Sequence, residues 1–252
     1  MTGIFLFLSL MKEKVAANVS VNKIDLVIDG HAHPSLQIGT VMTHPDYRNQ
    51  GLSRILMEKV ISEYEGQCDF MYLFANESVM DFYPKFGFRE VEEQQFSTSS
   101  FSSNTAAREK LKLLNVKNSS DLQLIAEYIE GRVPVSTRFA TANTAGITMY
   151  HVLASFKNGI YYSEKLDALL LFKQEGGQLD LFDVVSKVPV DIQTVLAEIT
   201  DENTRSIVFY FTPEDGILLE KRPFKRDGAL FVREKSRLSY PAQVMHPVAS
   251  EA

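Results

Sequence analysis

Tryptophan is absent from this 252-residue chain, cysteine occurs once, and basic residues are outnumbered by acidic ones. The lone Cys68 excludes an intrachain disulfide and a cysteine-based zinc site, and it reads as a buried structural thiol. With 26 Lys and Arg against 32 Asp and Glu, the formal charge is -6. That balance argues against general binding to nucleic acid or an anionic membrane, which both require summed positive charge. Any anion site must therefore be local. No stretch approaches the ~18 uninterrupted apolar residues of a membrane-spanning helix, so the expectation is a cytoplasmic protein with no membrane partner. The early "IFLFLSL" has no positive segment before it and meets "MKEK" where a small-residue cleavage site would begin, which makes it a strand and not a leader.

What the chain does contain is ordinary globular material, 45% hydrophobic and 23% charged, enough for one large domain or two small ones. "GIFLFLSL" and "VAANVSV" flank a charged break and read as a hairpin. "KIDLVID" is a third extended stretch, and "LQIGTVMTHP" a fourth that stops at Pro45, which cannot donate to a sheet ladder. From there the period changes. Leu52, Ile55, Leu56 and Val60 fall on one helical face. "CDFMYLFA" is apolar on both faces and reads as a central strand; a short helix from Ser78 towards Tyr83, broken at Pro84, and an extended "GFREVEEQQF" follow.

Residues 97–105, "STSSFSSNT", lack periodicity and read as a linker. The second half then gives strand "LKLLNV", helix "SSDLQLIAEYIE", a helix around "AGITMYHVLASF", strands "GIYYSE", "ALLLFKQE" and "LDLFDVVS", helix "PVDIQTVLAEI" with Pro189 in its first turn, and strand "SIVFYFT". Both halves thus show consecutive strands, a helix and a strand, an internal structural repeat with little residue identity. The expected division is 1–96, a 97–110 linker and 111–252.

The chemistry concentrates at "THPDYRNQGLSRILMEKV", Thr43 to Val60. A helix start exposes unpaired N–H groups and the positive end of the backbone dipole, and its first turn ordinarily carries acids. Here Arg48 and Arg54 flank it and Gly51 allows close approach. The arrangement suits a diphosphate.

At this point "VMTHPDYRNQGLSRILM" resembles the acetyl-CoA signature of the GNAT N-acetyltransferase superfamily, with Arg48, Gly51 and Ser53 at the three defined positions. Ser53 replaces the usual Gly or Ala. "YLFANESVMDFYPKFGF" resembles the later GNAT segment, Asn76 matching the strand-end residue near the pantetheine arm and Tyr83 the tyrosine that protonates the leaving thiolate. The resemblance covers about residues 36 to 91. It implies an α/β (α+β) GNAT fold, a mixed central sheet flanked by helices, followed by a degenerate GNAT-like domain. It also implies acetyl-CoA as cosubstrate, no metal, and acetyl transfer to a primary amine of a small molecule or peptide by direct attack on the thioester. By the same resemblance, a backbone N–H of Val41 or Met42 binds the oxyanion and Asn49, Gln50, Leu52 and Arg54 complete the cofactor loop. A non-catalytic CoA-binding module is the alternative, and a homo-oligomer is compatible with either.

A general base is harder to name, because "LQIGTVMT" and "FMYLFA" carry no carboxylate. The candidates are Asp29, His31, His33, a water chain and the terminal carboxylate of Ala252. "HAH" lacks a third metal ligand. The first half also opens on what resembles the second GNAT strand, without the strand and two helices that wall the acceptor site. In the second half, "KVPVDIQTVLAEI" has neither glycine nor a basic loop, so it should not bind pyrophosphate. The basic run from Lys221 to Arg237 reads as a solvated hairpin turning at Asp227-Gly228, with a CoA 3′-phosphate or acidic-partner contact as the sharper reading.

Overall fold

A computed structural model of the protein describes residues 4–11, 14–235 and 237–252. The first half runs β1 (Ile4–Met11), β2 (Lys14–Lys23), β3 (Asp25–Ile28), β4 (His31–His33), β5 (Ser35–Thr43), α1 (Leu52–Tyr64), β6 (Phe70–Ala75), β7 (Arg89–Val91) and β8 (Gln94–Thr98). The second half runs α2 (Thr105–Arg108), β9 (Lys112–Leu113), α3 (Ser119–Glu130), β10 (Phe139–Ala142), α4 (Ala145–Ala154), β11 (Ile160–Ser163), β12 (Ala168–Glu175), β13 (Gln178–Ser186), α5 (Ile192–Ile199), β14 (Ser206–Phe209), β15 (Glu220–Pro223) and β16 (Ala229–Glu234). The charged break between β1 and β2, at Lys12 and Glu13, lies outside the described residues, as does Gly3.

Among the described residues the strands form a six-stranded sheet, β1-β2-β5-β6-β16-β7, a seven-stranded sheet, β15-β8-β14-β13-β12-β11-β9, and a small β10-β3-β4 sheet. The fold is mixed α/β. Helix α1 lays Leu56, Met57, Val60 and Tyr64 on a core that includes Val19, Val21, Ile38 and Leu73, each such apolar side chain stabilising by roughly 1.5–3 kcal/mol when fully buried. Ile55, expected in that stripe, points to solvent at 59% exposure; the buried arc is rotated to take in Met57. On β6, Met71 and Leu73 join the α1 core while Phe70 and Tyr72 join a second core with Leu26, Phe139, Leu230 and Tyr240. Two buried faces put β6 in the sheet interior.

The same unit occurs in both large sheets. β5 and β6 pair in parallel with α1 between them in sequence, and β13 and β14 pair in parallel with α5 between them. In each case the ladder is short: it stops at Ile38↔Leu73 although β5 continues to Thr43, and at Leu181↔Phe209 although β13 continues to Ser186. The longer strand therefore leaves a splayed, one-sided edge.

The two sheets exchange strands. β8, from the first half, lies between β14 and β15, while β16, from the second, lies between β6 and β7. A cut into 1–96 and 111–252 would thus remove one strand from each sheet. "GFREVEEQQF" splits between sheets, and the serine-threonine stretch is not wholly linker: Ser97 and Thr98 are paired in β8, and Thr105 starts α2. Asp227-Gly228 is a crossover and not a hairpin turn, because β15 and β16 pair with different partners. Gly228 is needed there for two reasons: its φ is +100°, and a Cβ would lie 1.8 Å from the Ala75 carbonyl oxygen. Two further boundaries move. α5 begins at Ile192, so Pro189 precedes it, and Pro84 sits inside a 3-10 turn, Tyr83–Phe86, at a position where its missing N–H costs nothing.

Candidate functional site

Several of the expected site residues gather at the splayed end of β5. At a β-bulge opposite Ser20, the Thr40 N–H donates to Ser20 Oγ at 2.8 Å, and beyond the strand the His44 N–H donates to the Ala16 carbonyl at 2.8 Å. Backbone groups alternate along a strand, so the Met42 N–H also faces β2, while the Val41 N–H faces the edge that β6 has left. Of the two residues named as oxyanion donors, Val41 presents its N–H to that edge and Met42 does not.

The turn that follows is held by its own polar groups. Thr43 Oγ1 and Ser53 Oγ are 2.6 Å apart, and Arg48 Nε donates to the Thr43 carbonyl at 3.4 Å. Asn49 takes φ +61° and Gly51 φ +76°, two left-handed residues that curl the chain into the helix. Gly51 is the N-cap of α1, with no side-chain cap and no acid in the first turn. The first helical bond is Ile55 N–H to Gly51 C=O, which leaves the N–H groups of Leu52, Ser53 and Arg54 without acceptors among the described residues. Nothing lies within 4 Å of a Cβ built at Gly51. This is an open, positively polarised cradle.

A groove of about 420 Å³ joins cradle and strand edge, lined by Val41, Met42, Thr43, Arg48, Ser53, Ser78, Val79, Phe82 and Tyr83. Tyr83 is buried against Phe82, Phe88 and Phe231, and burial pushes its phenol above its ordinary range. It holds its proton at neutral pH, as a donor to a departing thiolate must. Leu52 turns partly into the core. Asn49 and Gln50 are exposed on the turn. Arg54 points along the helix and pairs with Glu58 at 2.9 Å, and Asn76 is an exposed residue after β6; neither lines the groove.

The second half shows what the cradle would look like if closed. At the start of α5, Asp191 accepts from the Thr194 N–H and hydroxyl, both at 2.8 Å, and these bonds hold its carboxyl below the usual range. The helix end already carries its own anion.

The loop candidates for a base are at the wrong end of the sheet. Asp29, His31 and His33 precede β5, and Thr43 is eight residues beyond Ser35, about 26 Å away at ~3.3 Å per residue. His33 pairs with Asp69 at 3.2 Å and the His31 ring bonds the Asp29 carbonyl at 2.8 Å. Much of the basic run is also committed elsewhere: Arg222 donates to Gln95, Arg226 to Glu93 and Glu251, Arg233 to Glu65, and Lys235 pairs with Asp69. Cys68, as expected, is buried, with its Sγ donating to the Tyr64 carbonyl at 3.3 Å and its thiol pushed up to about 11 by burial.

Residues 4–91 match the acetyltransferase (GNAT) domain family. Solved structures extend the likeness of fold beyond that domain. Eis1 from Mycobacterium abscessus superimposes with a TM-score of 0.58 at 12% identity, covering 91% of this chain and 64% of that one. A GCN5-related N-acetyltransferase from Kribbella flavida gives 0.52 at 18%, covering 88% and 58%. The chain therefore spans less than two thirds of either. No curated protein matches the chain in sequence. Among the described residues no helix is long and apolar enough to cross a membrane. In the six-stranded sheet, the features that sequence reasoning missed are the Ser20 bulge and strand β16. A serine opposite "IGT" carries no signal of its own, and a strand supplied from residue 229 onward is not deducible from local pattern.

Proposed function

We propose that the protein is an acetyl-CoA-dependent N-acetyltransferase that acts on a primary amine of a small molecule or peptide. One observation carries the reading: an uncapped helix start, closed by Arg48 and Gly51, opens through a continuous groove onto the free edge of β5 at Val41. The pyrophosphate would rest on the N–H groups of Leu52, Ser53 and Arg54 beside the Arg48 guanidinium. The pantetheine arm would follow the β5 edge, and the thioester oxygen would meet the Val41 N–H. A preorganised donor of this kind contributes about 10²–10³ in rate in other acyl transfers. Tyr83, on the far wall, would protonate the sulfur. The second large sheet, with Asp191 in place of an open cradle, serves as a degenerate GNAT-like unit that supports the first and takes no pyrophosphate.

Release of CoA thiol from acetyl-CoA with a panel of primary amines tests this. Turnover that depends on the amine is expected. CoA binding with no turnover on any amine would leave a CoA-binding module in its place.

A further inference from the structure

The point where β5 and β6 part is covered, on the face away from α1, by a buried charged group that the acyl-transfer steps above do not use. Ser250 accepts a hydrogen bond from Gln37 Nε2 through its carbonyl at 3.1 Å, and the Ala252 Cβ lies 3.6 Å from a Cβ built at Gly39. Glu251 is thus held against β5 where pairing with β6 ends. From the other strand, the Arg226 guanidinium stacks 4.5 Å from the centre of the Phe74 ring, and Phe74 is the first β6 residue past the last rung, Ile38↔Leu73. Arg226 closes the group. It donates to Glu251 Oε2 and Oε1 at 3.0 and 2.9 Å, and to Glu93 Oε2 at 2.7 Å.

Two carboxylates share one guanidinium, so the ionised triad carries one surplus negative charge. Glu93 is almost fully buried, whereas the Glu251 side chain keeps about a fifth of its surface (21%) open. Nearby, Gln37 Oε1, the Tyr72 and Tyr240 hydroxyls and His246 Nδ1 are buried without partners among the described residues, a condition that native interiors relieve with water or ligand groups. The other titratable groups near the triad are Tyr72 of β6, Tyr240 and His246 of the C-terminal segment, His151 of α4, whose Nε2 lies 2.6 Å from the Glu251 carbonyl oxygen, and the terminal carboxylate of the adjacent Ala252. Burial holds both tyrosines and His246 neutral.

We propose that the Glu93–Arg226–Glu251 triad is the anionic receiver of the acceptor amine, with Glu251 taking the proton of its ammonium group and Glu93 positioning Arg226 behind it. The proposal rests on the acetyltransferase reading. An N–H bond of the ammonium breaks and an O–H bond forms on Glu251. The freed lone pair forms the C–N bond as the C–S bond breaks, and sulfur takes its proton from Tyr83. The second N–H proton, lost as the amide forms, replaces the one Tyr83 gave. Overall, ammonium and acetyl-CoA yield amide, CoA thiol and one proton. Desolvation lifts Glu93 to about 7 and raises Glu251 in the same direction, so both take up a proton more readily than exposed carboxylates do.

Glu251→Gln keeps an acceptor for Arg226 and removes the charge. With an amine that the native protein acetylates, kcat/KM should fall about 100-fold at pH 7 with CoA affinity unchanged, and the deficit should shrink to within about 3-fold at pH 10, where the amine arrives neutral. An equal loss at every pH, or no loss, overturns the proposal. If the native protein acetylates no amine, the acetyltransferase reading fails instead, and the triad is judged by its protons alone. A carboxyl resonance in protein labelled with ¹³C-glutamate should then titrate near neutral pH, vanish in Glu93→Gln and shift in Glu251→Gln. Carboxylates ionised throughout pH 5 to 9 overturn it.

Discussion

Arg226→Met replaces the one cation between two carboxylates with a side chain of similar length and no charge. Glu93 is 3% exposed, so water cannot take over from the guanidinium, and breaking a buried pair of this kind costs roughly 3–5 kcal/mol. The loss should depend on pH. Burial already raises the Glu93 carboxyl from 4.5 to about 7 against the pull of Arg226, and without Arg226 it rises further. A carboxyl raised by folding binds more protons in the folded state. Its contribution is therefore fully present below the unfolded value near 4.5 and lost as pH rises through about 7. The native shift alone is worth about 3 kcal/mol at ~1.4 kcal/mol per unit. Urea unfolding at pH 6 and pH 8 should show Arg226→Met losing more at pH 8 by about 1 kcal/mol or more, and Glu93→Gln should flatten the native pH dependence. An Arg226→Met loss below 1 kcal/mol, or one equal at both pH values, would refute the reasoning. The triad also joins the crossover before β8 to the crossover before β16, so the same variant should loosen both sheets in hydrogen exchange.

Four further outcomes follow from the geometry. Gly228→Ala meets the Ala75 carbonyl at 1.8 Å and an unfavourable φ, so it should cost more than about 3 kcal/mol in urea unfolding, whereas Gly216→Ala, with open space around it, should cost about 1 kcal/mol. Tyr83→Phe should lower kcat at least about 10-fold with CoA affinity unchanged; equal rates would remove Tyr83 as the acid. Ser20→Ala frees the Thr40 N–H and relaxes the bulge that aims Val41, so kcat should fall while KM for acetyl-CoA holds, and Ser20→Thr should restore part of the loss. Asp191→Ala should cost about 0.5–2 kcal/mol as a lost helix cap and leave CoA binding unchanged, checked by unfolding and by CoA titration.

Much of the first sheet was legible because its signals are local. The period change at Leu52, the stop at Pro45 and the glycine before the helix are readable within a few residues, and α1 begins at Leu52 as the pattern predicts. Sidedness was legible on β6, where both faces are apolar. Partnership was not. The alternation in "EQQFST" marks a buried strand without saying which sheet buries it, and Asp227-Gly228 carries the composition of a hairpin although Gly228 serves a close backbone contact. The loop candidates for a base, Asp29, His31 and His33, lie far from the splay for a geometric reason: proximity in sequence to "LQIGT" does not survive nine extended residues of β5, whereas Ala252, also a candidate, lies beside Gly39. Glu251 and Arg226 sit at the splay only because the chain returns to it from more than 180 residues away, and no local pattern encodes that return.

The central claim is that the turn from Arg48 to Arg54 is an open anion cradle. It is tested most directly by titrating CoA against thermal stability in the native protein and in Gly51→Asp, which supplies at α1 the carboxylate that Asp191 supplies at α5. Native protein should be stabilised progressively, by about 2.7 kcal/mol when CoA reaches a hundred times its Kd, and Gly51→Asp should need at least about 10-fold more CoA for the same shift. No shift in the native protein at millimolar CoA, or equal shifts in both proteins, would contradict the account.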